Sequence, residues 1–184
     1  LLKRKRFPMM AWFAKIVFFH LMGWKIIGDF PRLNKFIIAV VPHRSNFDFV
    51  VGVLVRTILN EEINFIGKKE LFNPFTGWFF NAMGGSPINR GTNENKVMAI
   101  AEVFNARERF RLAIAPEGTR KKVDRWRTGF YHIALQANIP ILLVNFNYNI
   151  KKVSFLKLFY PTGNLKKDLS LMEGYFNKAM QVKP

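Results

Sequence analysis

Residues 36–42 read FIIAVVP, a run of apolar, largely β-branched residues closed by a proline, which predicts a buried strand. A helix is expected over 46–59, opened by Ser45 as its N-cap. EINFIGK at 62–68 predicts a second strand. NPFTGWFFNAM at 73–83 places Asn before Pro, which suits a helix start, and GGSPINR at 84–90 reads as a short strand or turn. Between 94 and 107 the apolar residues Val97, Ile100, Ala101 and Phe104 fall at helical spacing. RLAIAPEGTR at 111–120 is a strand running into a glycine-containing loop. A helix over 129–137 stops before Asn138 and Pro140. PILLVNFNY at 140–148 is another buried strand, 151–160 alternates like a half-exposed one, and 166–180 is a closing helix. Strands alternating with helices predict an α/β fold: a single domain with a mainly parallel central sheet flanked by helices.

In such sheets, sites form beyond the carboxyl ends of the strands. PHRSNFD at 42–48 sits just after one predicted strand, and APEGTR sits just after another. With Ser45 as N-cap, Asp48 is the third helical residue, and Ser-x-x-Asp resembles a capping box. A carboxylate there points back toward the loop that carries His43. It can accept from one imidazole nitrogen and leave the other free to take a proton, the base-plus-orienter half of a triad. A capping box beside an incidental His fits the same spacing. Arg90 and Arg120 follow two separate strands in glycine-flanked loops, where paired guanidiniums can converge on a phosphate. Backbone amides near Gly84, Gly85 and Gly118 are candidate anion donors. Each arginine also reads as an ordinary solvated residue.

The first 30 residues differ from the rest. LLKRKRF precedes an apolar stretch interrupted by Lys15, His20 and Lys25. No small-residue cleavage site follows, so a signal peptide is not expected, and the apolar stretch is too broken to span a bilayer. Residues 1–30 are read as a basic, amphipathic membrane-associating helical segment, and 31–184 as the α/β domain. In that reading Trp12, Phe13, Phe18, Phe19 and Trp24 lie at headgroup depth, and the basic leader meets anionic lipid. A helix packed on the core behind a solvated leader is the other reading.

Composition narrows the chemistry. The 184 residues suit one domain with a real core, and 20 of them are Phe. With no cysteine, disulfides and thiolate catalysis are excluded, and the three scattered His fit no metal pattern. The formal charge of +17, from 29 Lys and Arg against 12 Asp and Glu, points to an anionic partner. Nucleic acid, anionic headgroups and an acidic carrier protein all qualify. No nucleic-acid motif is present, and a nucleic-acid domain leaves the two loop motifs unexplained.

Four blocks, in order, resemble those of the glycerophospholipid acyltransferases, the lysophosphatidic acid acyltransferases and their relatives. HRSNFD is similar to H-x-x-x-x-D, GGSPINR to G-x-x-(aromatic or aliphatic)-x-x-Arg with Pro87 where an aromatic is frequent, PEGTR contains E-G-T-R in full, and IPILLV resembles the apolar block opened by Ile-Pro or Val-Pro. The resemblance runs from His43 to about Val144. It implies acyl transfer from acyl-CoA or acyl carrier protein to a lysolipid hydroxyl, with His43 as base and Asp48 as its orienter. It implies that Arg90, Glu117, Gly118, Thr119, Arg120 and Arg127 form the acceptor's phosphate region, with Glu117 ordering the arginines and Gly129 on the same side. No metal or cofactor is expected. An apolar acyl tunnel, docking on the cytoplasmic face of a membrane as a peripheral or monotopic protein, and no nucleic-acid partner are also implied. Asn145 stands where the family often has a second Pro, a block that shapes substrate fit. The same chemistry on another lysolipid, such as a lyso amino-acid lipid, is the alternative.

Overall fold

The computed structural model describes residues 8–67, 69–87, 93–120, 123 and 125–181. The chain opens with helix α1 (Pro8–Lys15), a π-helical turn (Ile16–Leu21) and strand β1 (Lys25–Ile27). There follow β2 (Lys35–Val41), α2 (Phe47–Leu59), β3 (Asn64–Gly67), a 3₁₀ turn (Lys69–Phe72), α3 (Gly77–Ala82) and β4 (Gly85–Pro87). The chain continues through α4 (Asn93–Ala106), β5 (Phe110–Ile114), α5 (Gly129–Gln136), β6 (Ile141–Asn147), β7 (Lys152–Phe159) and α6 (Leu165–Met180). Seven strands form one sheet in the order β1-β7-β6-β2-β5-β3-β4. Every neighbouring pair is parallel except β6 and β7, which a turn at 148–151 joins antiparallel.

The unbroken apolar runs of β2 and β6 arise because both faces of the sheet are covered. Ile37, Ala39 and Val41 of β2 share one face with Ile141 and Leu143 of β6, under Phe130 and Ala134 of α5 and Met172 and Phe176 of α6. Phe36 and Ile38, with Leu142, Val144 and Phe146, share the other, against Val51 and Val55 of α2. Each such side chain contributes roughly 1.5–3 kcal/mol when fully removed from water. Helix α2 stops at Asn60, whose left-handed conformation (φ 52°) lets its amide reach the carbonyls of Arg56 and Thr57.

Two expectations need correction. Residues 73–83 do not form one helix. The Asn73 carboxamide oxygen accepts from the amides of Phe75 (2.9 Å) and Thr76 (3.0 Å), which makes a side-chain-closed turn and delays α3 to Gly77. The aromatic residues of the N-terminal segment also do not share one environment. Phe18 (0 % exposed) and Trp24 (3 %) fill the α2 face of the core, whereas Trp12 and Phe13 are each 63 % exposed. The segment is therefore part core and part surface, and β1 adds it to the sheet through its parallel pairing with β7. The basic leader lies outside the described residues.

Candidate active site at the carboxyl ends of the central strands

At the end of β2 the chain passes Pro42, through a cis peptide bond, and reaches His43 before α2 begins. Helix α2 starts one residue later than expected. Asn46 is its N-cap without a side-chain bond, and the Ser45 hydroxyl accepts from the Phe47 amide at 3.1 Å. Asp48, in the first turn, points back over this loop. Its Oδ2 accepts from His43 Nδ1 (2.8 Å), the Arg44 amide (2.7 Å) and the Ser45 amide (3.0 Å). One carboxylate thus answers both readings of Ser-x-x-Asp: it closes the loop onto the helix start and it takes an imidazole nitrogen. With Nδ1–H given to Asp48, the Nε2 lone pair of the His43 ring is free, and the side chain is 29 % exposed.

The second oxygen of Asp48, Oδ1, accepts from the phenol of Tyr148, the first residue beyond β6. Burial alone would raise the Asp48 carboxyl, but the donors from His43, Tyr148, Ser45 and Arg44 together hold it below its usual range. Burial pushes the Tyr148 phenol up, and the neighbouring Asp48 carboxylate pushes it further. Tyr148 therefore stays a proton donor at neutral pH. Sequence reading missed it. It sits just past a strand's carboxyl end, the same signal that drew attention to His43.

Strand β5 lies beside β2, so the APEGTR loop emerges next to His43. There Glu117 Oε2 accepts from the backbone amide of His43 at 2.6 Å and ties the two loops across 74 residues of sequence. The resemblance implied that Glu117 orders the arginines; in the structure its carboxylate binds the His43 backbone. The turn is tight. The Gly118 amide donates to the Ala115 carbonyl at 3.0 Å, and Gly118 holds φ +62°. Arg127 joins the turn through its amide, which donates to the Pro116 carbonyl at 2.8 Å. The Arg127 side chain crosses Gly118 so closely that a Cβ there would lie 2.5 Å from Cδ and 2.6 Å from Nε. Thr119 is half-buried and Arg120 is exposed on the same turn.

The structure thus brings together His43, Asp48, Glu117, Gly118 and Arg127, with Thr119 and Arg120 adjoining. Arg90 lies outside the described residues. The glycine amides do not serve as expected, because those of Gly84 and Gly118 are spent on the carbonyls of Asn81 and Ala115. Gly84 and Gly85 also lie at the amino end of β4, away from His43. Asn145 uses its position differently from a proline. Its side-chain amide donates to the Val41 carbonyl at 3.0 Å, which pins the end of β2 just before His43. A cavity of about 440 Å³ lies at the amino end of the sheet, walled by polar groups including Arg56, Asn64 and Arg107. The one beside the loop, touching Pro42, Arg44 and Tyr148, is about 30 Å³. Neither is the apolar tunnel that the resemblance implied.

The model of the family described as Acyltransferase matches residues 26–147. Among curated proteins, the 1-acyl-sn-glycerol-3-phosphate acyltransferase of Escherichia coli (strain K12) is 30% identical over 127 residues, covering 66% of this chain and 51% of the relative. The protein of the same name from Haemophilus influenzae is 27% identical over 143 residues, covering 72% and 57%. The chain spans about half the length of the curated relatives it matches. The crystal structure of the 1-acyl-sn-glycerophosphate (LPA) acyltransferase PlsC of Thermotoga maritima superposes with a TM-score of 0.66 at 19% identity, over 95% of this chain and 78% of that one. That match shows the shared fold. The family match runs from β1 to the end of β6 and takes in both loops that meet at His43, so the chain belongs to the acyltransferase family.

Proposed function

We propose that the chain moves a fatty acyl group from a thioester, acyl-CoA or acyl carrier protein, to the free hydroxyl of a lysolipid. The acceptor is 1-acylglycerol-3-phosphate and the product phosphatidic acid. The observation that carries this reading is the 2.8 Å contact of His43 Nδ1 with a buried Asp48 carboxylate, beyond the carboxyl end of β2. In this reading His43 Nε2 takes the hydroxyl proton as the acceptor oxygen attacks the thioester carbonyl carbon. The tetrahedral intermediate collapses with loss of the thiolate, which recovers the proton from His43. One C–O bond forms, one C–S bond breaks, and the proton returns from imidazole to sulfur. A thioester is already activated, so one placed base contributes a large part of the acceleration.

Glu117, through the His43 backbone, holds the base against the turn that carries Gly118, Thr119, Arg120 and Arg127. The arginines there, with Arg90, meet the acceptor's phosphate by charge-assisted bonds. The basic surface suits anionic lipid, CoA phosphates or an acidic carrier protein. The exposed face of α1 rests on the cytoplasmic side of a membrane. Among the described residues, no helix is long and apolar enough to cross one.

The test follows thiol release from acyl-CoA and from acyl carrier protein, with lysophosphatidate and a lyso amino-acid lipid as separate acceptors. Release with lysophosphatidate supports the reading, and release with the amino-acid lipid alone keeps the chemistry and replaces the acceptor. A chain that releases thiol with neither acceptor from either donor contradicts it. Arg120→Ala is expected to raise the acceptor KM by about tenfold or more, the scale of one hydrogen bond to a charged group. An unchanged KM removes Arg120 from the acceptor.

A further inference from the structure

Tyr148 has no part in the reading so far, yet its phenol ends on the carboxylate that orients the base. The three donors on Asp48 Oδ2 come from the loop 43–45, whereas Oδ1 accepts from a residue 100 positions away. Oδ2 bonds alone leave a carboxylate able to rock about its Cβ–Cγ bond, because both backbone donors approach the same oxygen as the imidazole. A donor on the other oxygen removes that freedom and fixes the plane in which Nδ1–H is received.

The phenol is itself held. Asn147 Oδ1 accepts from the amides of Asn149 (3.2 Å) and Ile150 (3.4 Å) and shapes the turn that presents Tyr148. Trp24 meets the ring edge-on, with centroids 5.0 Å apart and planes at 90°. The ring is only half-buried, and the burial that it does have keeps the proton on the oxygen. A second tyrosine–aspartate pair in this chain gives a contrast. Asp168 accepts from Tyr131 of α5 (2.8 Å) and from the amide (2.7 Å) and hydroxyl (2.9 Å) of Thr162, so its bonds tie α5 and the loop before α6 to the first turn of α6. That pair stabilises a helix start. The Tyr148 pair ends on an imidazole.

We infer that Tyr148 is a positioning residue for acyl transfer: its hydroxyl locks the Asp48 carboxylate so that His43 presents Nε2 to the acceptor hydroxyl. The inference rests on the acyltransferase reading above. Tyr148→Phe keeps the ring against Trp24 and removes the one hydroxyl. With the melting temperature near wild type, kcat should fall about tenfold or more, the scale of one hydrogen bond to a charged group, while both KM values hold. Introduced into Asp48→Ala, the same substitution should cost nothing further, because the two groups act as one unit. A loss of equal size in both backgrounds, or a kcat near wild type, overturns the assignment.

A second readout does not need turnover. The Nδ1-bound proton of His43, followed by NMR in ¹⁵N-histidine-labelled protein, should give a resolved downfield signal in wild type. It should broaden or vanish in Tyr148→Phe. If wild type shows that signal, loses it in the variant and yet transfers no acyl group, the acyl reading fails, while the hold of Tyr148 on the Asp48–His43 pair stands. If the signal is unchanged by the variant, the positioning assignment fails even where transfer is robust.

Discussion

Gly118 combines a left-handed backbone conformation with a close contact from the Arg127 side chain, and both oppose a Cβ at that position. Its φ of +62° costs a non-glycine residue roughly 1–2 kcal/mol, and a Cβ there would collide with the Arg127 side chain. Arg127 is exposed, so it can swing aside rather than unfold the turn. Gly118→Ala is therefore expected to lower stability by about 1–2 kcal/mol in a denaturant titration and to raise the acceptor KM as the guanidinium is displaced. A KM unchanged by that variant would separate Arg127 from the acceptor. Among the site residues, legibility followed distance along the chain. His43 and Asp48 lie in one loop-to-helix junction, where spacing fixes geometry, so their pairing could be read from PHRSNFD. The Glu117 bond to His43 and the Tyr148 bond to Asp48 join residues 74 and 100 positions apart, and only the strand order brings them together.

At the scale of elements, long apolar runs read well and short pieces did not. FIIAVVP and PILLVNFNY carry long enough apolar runs to announce β2 and β6. The three residues of β1 present no pattern, and their strand state comes from pairing with β7. The segment before β1 combined two signals that the sequence mixes. Phe18 and Trp24 belong to the core, whereas Met9, Met10, Trp12 and Phe13 form an exposed apolar face on α1. That exposed face is where membrane contact is expected. Replacing both Trp12 and Phe13 with Ser should weaken binding to anionic vesicles by about tenfold or more, given roughly 1.5–3 kcal/mol per large apolar side chain withdrawn from water. The melting temperature should hold, because neither side chain is in the core. Vesicle binding unaffected by the pair would place the lipid contact elsewhere.

For the whole molecule, the order β6-β2-β5 is the decisive feature. It sets three carboxyl ends side by side, so Tyr148, His43 and Glu117 arrive from separate strands at one place. The rule that sites form beyond the carboxyl ends of parallel strands located this place from the sequence, but it did not name which strands are neighbours. The +17 charge is a property of the same scale: it fits an anionic surface without choosing which one. The measurement that bears most directly on the chain's chemistry is the rate of thiol release by His43→Ala, with saturating acyl thioester and lysolipid, beside wild type. Melting temperature and vesicle binding of the variant should match wild type, because His43 is partly exposed and lies outside both core clusters. The rate should fall by about 10²–10⁴-fold, the contribution of a placed general base. A folded, vesicle-bound variant that releases thiol at a rate near wild type would contradict the assignment of His43 as the base.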